Sequence, residues 1–252
     1  MKNILIIITL IASMLACTKT SETLKIAEIG DYAPLKVGKY ITYTLDSLVF
    51  INAGTVEAHR FYEVKYEVAD SLKDNAGRKA FRIIRYIRTL PNGIFNSDNT
   101  FIAKNLGNTY EFGENNFNFI KLVQPIKNDG TWKGNAQIDA TSINSNVQFL
   151  FDWNYTYVNV GVSPSININN LVLPNTITVN QQINTFNLPV VLPGMGSAPT
   201  NIASKDSAVE IYAKNIGMVY KKFLHWEYQI SPNGGSGSYT GYGITLKMKE
   251  YN

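Results

Sequence analysis

Phe61-Tyr62-Glu63-Val64-Lys65-Tyr66-Glu67-Val68 alternates apolar and charged residues with a period of two. Successive side chains of an extended chain point to opposite faces, so Tyr62, Val64, Tyr66 and Val68 read as one buried face of a strand. Glu63, Lys65 and Glu67 read as its solvated face. Asp74-Asn75-Ala76-Gly77-Arg78 follows, and Asn and Gly accept the left-handed backbone that tight turns need. Residues 79–90 then return as a second strand, which makes the pair a β-hairpin. Ahead of it, 39–51 (KYITYTLDSLVFI) is rich in β-branched and aromatic residues and reads as another strand.

The same reading places strands near 116–123, 147–160, 176–182, 209–212, 218–230 and 239–251. In the last, Tyr242, Ile244, Leu246 and Met248 share a face opposite Thr245, Lys247 and Lys249. The window 204–214 is ambiguous between helix and strand, and no amphipathic helix exceeds about two turns. Residues 163–201 carry Pro164, Pro174, Pro189, Pro193 and Pro199 with almost no charge. Proline is excluded from central strands, so this region is expected to be an edge excursion or a long loop with short strands. Ser231 to Gly237 (SPNGGSG) reads as a flexible connection. Strands joined by turns without intervening helices imply an all-β fold: an antiparallel, curved sheet, as a half-barrel or sandwich, with little helix.

Composition narrows the class. The 252 residues are 45% hydrophobic, 12% aromatic and 17% charged, which excludes a disordered chain and fits one large core. One cysteine excludes a disulfide scaffold. A net charge of +4, scattered along the chain, gives no nucleic-acid footprint. Arg78, Lys79, Arg82, Arg85 and Arg88 form the densest basic set, but Arg85 has the opposite parity to Arg82 and Arg88. A solvated strand with one paired or snorkelling Arg fits better than a phosphate-binding groove.

The N-terminus reads MKNILIIITLIASMLAC, in which Lys2 precedes an apolar run from Ile4 to Leu15. That run is short for a permanent span and matches a secretory core. With Met14-Leu15-Ala16 leading to Cys17, the segment resembles a bacterial lipoprotein signal. The resemblance implies cleavage after residue 16, acylation of Cys17 with palmitate-type chains, and a tether over 17–30 before a single β-rich domain at 31–252. Loss of Lys2 would lower the net charge from +4 to +3. No Asp follows Cys17, which favours the outer membrane, on its periplasmic or its cell-surface face.

Candidate chemistry is sparse. His59 and His225 are the only histidines, and neither lies near a second ligand at metal-binding spacing. Gly234-Gly235-Ser236-Gly237-Ser238 lacks the last glycine of a nucleophile elbow. Glu63 and Glu67 lie roughly 13 Å apart along a strand, too far for paired carboxylates acting on one sugar, and Glu111 and Glu114 flank Gly113 in an expected turn that leaves their geometry open. No catalytic residue, metal site or cofactor is therefore expected. The strongest feature is aromatic: Phe149, Phe151, Trp153, Tyr155 and Tyr157 fall on alternate positions. In a strand they would line one face for about 27 Å, either as core or as the wall of a ligand cavity. Trp132, Trp226 and Tyr228 are candidates to join them.

Three stretches carry a wider resemblance: Pro34-Leu35-Lys36-Val37-Gly38-Lys39-Tyr40-Ile41-Thr42-Tyr43 with Leu45-Asp46-Ser47, then Gly130-Thr131-Trp132-Lys133-Gly134-Asn135, and Glu210-Ile211-Tyr212-Ala213-Lys214-Asn215-Ile216-Gly217-Met218-Val219-Tyr220. The chain resembles uncharacterised outer-membrane lipoproteins of Bacteroidota, with Ile41 in place of a usual Trp and Asn215 in place of a usual Gly. The family has no assigned activity, so the resemblance implies an address and a β-fold only. The resulting expectation is a lipid-anchored, non-enzymatic envelope protein that binds an apolar ligand or an envelope component. A surface module binding glycan or protein is the alternative, and a hydrolase with an unrecognised carboxylate site is the third reading. Expected partners are the membrane, through the lipid, and a lipid, glycan or envelope protein, with no nucleic acid.

Overall fold

The hairpin at 61–90 is present, and the same pattern continues from it in both directions. The computed structural model describes residues 27–141, 147–188, 201–231 and 237–252. The expected signal over 1–16, Cys17, most of the tether and most of the 231–237 connection lie outside the described residues. Within them a one-turn helix, α1 (Ile29–Tyr32), precedes twelve strands. These are β1 (Tyr40–Ile51), β2 (Val56–Lys73), β3 (Lys79–Thr89), β4 (Asn96–Asn105), β5 (Thr109–Glu114), β6 (Phe117–Val123), β7 (Thr131–Lys133), β8 (Asn154–Val162), β9 (Thr176–Phe186), β10 (Ala203–Ala213), β11 (Gly217–Gln229) and β12 (Ser238–Tyr251).

The sheet order is β6-β5-β4-β3-β2-β1-β12-β11-β10-β9-β8-β7. Two six-stranded meanders are therefore stitched together where β1 pairs antiparallel with β12. The sheet curls until its two edges meet, which nearly closes it into a barrel. At the seam the Ile120 N–H donates to the Gly134 carbonyl at 2.8 Å, and Trp132 Nε1–H donates to the Ile120 carbonyl at 2.7 Å. The Tyr157 hydroxyl donates to the Val123 carbonyl and accepts from the Val123 N–H, both at 2.8 Å. Gly134 belongs here for a steric reason: a β-carbon at that position would lie 2.4 Å from the Tyr155 ring.

Three sequence expectations need correction. Residues 163–188 are not an edge excursion, because β9 runs through them between β8 and β10, and 189–200 lie outside the described residues. The prolines bar only the positions they occupy: Pro164 and Pro174 precede β9, which contains none. The segment before β9 folds onto the sheet face opposite Glu210 and Lys221. There it buries Ile168 and Leu173 against Ile211, Ala213 and Tyr220, and Asn169 Nδ2 donates to the Met248 carbonyl at 2.8 Å. Secondly, Glu63 is not solvated; it is 3% exposed beneath Arg88 and Lys249, whose cations both reach its carboxylate. Thirdly, 147–160 is not one strand. A 3₁₀ turn at Gln148–Leu150 and a left-handed Asp152 (φ 60°) hold the chain out of the ladder until Asn154.

α1 closes one end of the barrel. Ile29 and Tyr32 pack into the main core, the Asn215 N–H donates to the Asp31 carbonyl at 2.6 Å, and Gln124 Nε2 donates to the Ala27 carbonyl at 3.1 Å. Asn215 itself is left-handed at φ 65°, a backbone that Gly or Asn adopts at little cost.

Candidate functional site

Alternation puts Tyr43, Val64, Tyr66, Glu210, Lys221, Phe223 and Leu246 on the face turned to the barrel interior, as their pairing register requires. Most of that face is apolar. At mid-height it is crossed by four charges, Glu114 on β5, Lys121 on β6, Glu210 on β10 and Lys221 on β11. They bridge the lumen as two ion pairs, Lys121 Nζ to Glu210 Oε1 at 2.7 Å and Lys221 Nζ to Glu114 Oε2 at 3.1 Å. The Tyr212 hydroxyl donates to the second oxygen of Glu210 at 2.6 Å.

Burial would raise both carboxyls, but the ammonium groups beside them win. Lys121 and Lys221 hold Glu210 below its ordinary value, and Lys221 and Lys121 do the same for Glu114. For the lysines, burial pulls Lys121 down further than Glu210 lifts it. Lys221 faces both Glu114 and Glu210, which outweigh burial and push it up. Both carboxylates are therefore ionised at neutral pH and neither is a stored acid. Burial raises the Tyr43, Tyr155 and Tyr212 phenols well above their ordinary value, so they remain neutral hydroxyls.

The charged layer separates two cavities. Between it and α1 lies a space of about 90 Å³, bounded by Tyr32, Leu35, Tyr43, Tyr66, Tyr110 and Met218. On the far side lies a larger one of about 350 Å³. Its walls are Phe117, Phe119, Phe149, Trp153, Tyr155, Phe223 and Tyr242, with Arg85, Asn99 and Gln181 among them and Glu114, Lys121 and Lys221 as its floor. Tyr242 is 42% exposed, so the cavity reaches the surface at its ring. Arg85, the arginine of opposite parity, holds Asp98 through Nε and Nη2 at 2.9 and 2.7 Å, over the Phe101 ring. It is not the one paired arginine of the set: Arg78, Arg82 and Arg88 pair as well, with Asp74, Asp70 and Glu63.

The expected aromatic row divides. Phe149, Trp153 and Tyr155 line the larger cavity. Trp153 is 1% exposed and donates Nε1–H to the Phe149 carbonyl at 2.6 Å, while the Tyr155 hydroxyl meets Asn135 Oδ1 at 2.9 Å. Phe149 lies flat on the His225 ring at 3.7 Å. Phe151, 61% exposed beside the Asp152 turn, points away from the cavity, and Tyr157 belongs to the seam. The row fails as a five-residue wall because the 3₁₀ turn and Asp152 direct Phe151 outward before the strand begins, and because Tyr157, on the same face as Tyr155, lies where the two edges of the sheet meet. Trp132 does join, with ring centroids 5.7 Å from Tyr155 and 4.6 Å from Tyr157, whereas Trp226 and Tyr228 pack with Tyr239 instead. Cys17 lies outside the described residues.

Sequence reasoning missed Lys121, Glu210, Lys221 and Gln181, and it placed Glu114 with Glu111 in a turn around Gly113, whereas both lie in β5. A signal existed for Lys121, Glu210 and Lys221, each a charge within a run of strand-forming residues. None existed for Gln181, and none told which ladder position Lys121 would take. Register shifts in the β5–β6 and β9–β10 ladders leave each as an extra, unpaired residue of a β-bulge. His225 Nδ1 meets Asp206 at 2.7 Å, and His59 meets two carboxylates, Asp46 through Nδ1 at 2.6 Å and Glu57 through Nε2 at 3.3 Å. Among the described residues no three His, Cys, Asp or Glu side chains gather to hold a metal, and no helix is long and apolar enough to cross a membrane. The sequence matches no known family model and no curated protein.

Proposed function

We propose that the protein is a lipid-anchored, non-enzymatic component of the bacterial outer membrane that holds a small, largely apolar ligand inside its barrel. The observation that carries this reading is the 350 Å³ cavity, walled by aromatic rings and floored by a self-neutralised layer of charge. Its volume lies in the range of small-ligand sites, and a few polar groups converge on an otherwise apolar lining. The hydrolase reading would have to use Glu114 and Glu210, the carboxylates that share the lumen. Glycoside hydrolysis needs one of its two carboxyls protonated at working pH, and both of these are held ionised by lysines. The address rests on the signal-like N-terminus and Cys17: labelled palmitate should enter the wild-type chain and not Cys17→Ser.

Native mass spectrometry of the chain from Thr18 onward, which contains every described element, tests the ligand. Excess mass that vanishes on organic extraction is the expected result. A bare mass from several hosts and preparations would overturn the reading.

A further inference from the structure

Gln181 is 3% exposed, and its Nε2 is the one buried side-chain nitrogen or oxygen among the described residues without a hydrogen-bond partner. An unpaired buried amide donor costs about 1–3 kcal/mol, so a protein that keeps one generally uses it. Its placement is specific. The β9–β10 ladder pairs Asn180 with Val209 and Gln182 with Ala208, which leaves Gln181 as the extra residue of a bulge. On the other side of β9, Thr156 pairs with Asn180, so Gln181 falls beside Tyr155, and both line the larger cavity.

Two further register shifts make the contrast clear. Asp98 is the extra residue between β3 and β4, and it meets Arg85; Lys121 is the extra residue between β5 and β6, and it meets Glu210. Three bulges thus each add a polar group, and two of those groups find their partner within the chain. The third does not.

Charge limits what the missing partner can be. The cations at the cavity are Arg85, Lys121 and Lys221, and each already holds one carboxylate, Asp98, Glu210 and Glu114 respectively. An anionic head group would add a negative charge to a set that is already neutral, in a place where desolvation is costly. A hydrocarbon would leave Gln181 unpaired. We infer that the barrel takes an uncharged amphiphile, with a carbonyl, hydroxyl or ether oxygen accepting from the Gln181 amide, which turns from its closed-off position toward the cavity to meet it, and an apolar body against Phe149, Trp153 and Phe223. The inference rests on the ligand-holding reading above and narrows it to a chemical class.

The test uses three probes with a common phenyl-alkyl body: butylbenzene, 4-phenyl-2-butanone and 3-phenylpropanoate. Each is titrated calorimetrically at pH 7.5 into the full chain held in phosphatidylcholine nanodiscs, with empty nanodiscs as the blank. Because a hydrocarbon leaves water more readily than a ketone of the same size, the readout is each probe's affinity for the wild type relative to Gln181→Leu. The ketone is expected to lose about three- to tenfold in that variant, the worth of one hydrogen bond, and butylbenzene to bind it no more weakly. The carboxylate is expected to bind weakest; Gln181→Met serves if the Leu variant does not fold. A ketone affinity unchanged in the variant, an equal loss for butylbenzene, or a preference for the carboxylate would each overturn the inference while leaving a ligand-holding barrel. Failure of all three probes to bind would overturn the inference, and with a bare native mass it would overturn the ligand-holding reading as well.

Discussion

Removing Lys121 alone should damage the barrel more than removing it together with Glu210. The Lys121 and Glu210 side chains are 6% and 1% exposed, with 2.7 Å between Nζ and Oε1. At an effective dielectric of about 20 that contact is worth about 6 kcal/mol before desolvation is charged against it. Lys121→Met deletes the cation and leaves Glu210 buried with the Tyr212 hydroxyl and, at longer range, Lys221. Breaking one side of a buried pair costs about 3–5 kcal/mol, and the remaining partners of Glu210 place this case near 3. For a chain of this size that corresponds to a fall in Tm of about 6–12 °C. Lys121→Met with Glu210→Leu removes both charges, leaves Lys221 and Glu114 balanced, and should return to within about 1 kcal/mol of wild type. Urea unfolding with an unchanged m-value gives both numbers, and the double-mutant cycle gives the coupling. A single substitution costing under about 1 kcal/mol would mean that water in the cavity already solvates these charges. A double variant as costly as the sum of its parts would refute the pairing itself.

Glu114 and Glu210 also fix an acid limit. Burial lifts both carboxyls, yet the neighbouring lysines leave them below the ordinary 4.5, so their contribution to stability is complete above about pH 4.5 and is lost as the pH falls through the depressed folded values. Tm should be level between pH 7 and 5 and drop below 4.5; a decline that begins above pH 6, or none by pH 2.5, contradicts this. Gly134→Ala drives a methyl to within 2.4 Å of the Tyr155 ring and should cost about 1–3 kcal/mol, with amide exchange rising first at Ile120 on the seam; unaltered exchange there would show that the ring yields freely. Ala53→Gly should stabilise by about 0.5–1 kcal/mol, because Asn52 and Ala53 are both left-handed (φ 52° and 54°) in the β1–β2 turn, where Asn-Gly is preferred. A loss of stability in thermal melts would show that some other contact of the Ala53 methyl matters.

The fold was legible because alternation is a local property. Tyr62 to Val68, Lys79 to Thr89 and Ile244 to Met248 each disclose their strand without reference to the rest of the chain. β4, β5 and β7 escaped because they are short or rich in Asn, Gly and Lys, and their strand character comes from their neighbours in the barrel. Prolines misled in the opposite direction, since they flank β9 without entering it. Glu63 shows the limit of reading a charge as solvent: Arg88 lies directly across on β3 and Lys249 reaches over from β12, and two distant cations bury a carboxylate that its own strand presents as exposed.

Part of the site was less legible than the fold for a physical reason. A period-two reading assumes an unbroken ladder, and a bulge moves one residue out of that count. Lys121 and Gln181 are such residues at the lumen, and Asp98 is a third, which holds Arg85. Regular alternation already brings Arg85, Glu114, Glu210 and Lys221 inside, and the bulges at Lys121 and Gln181 add two further polar groups to that lining. The bulges place polar atoms inside at the cost of three interrupted ladders. Two of those interruptions are offset within the protein by ion pairs. The third leaves a donor at the cavity wall, and it makes energetic sense only when something in the cavity accepts from it.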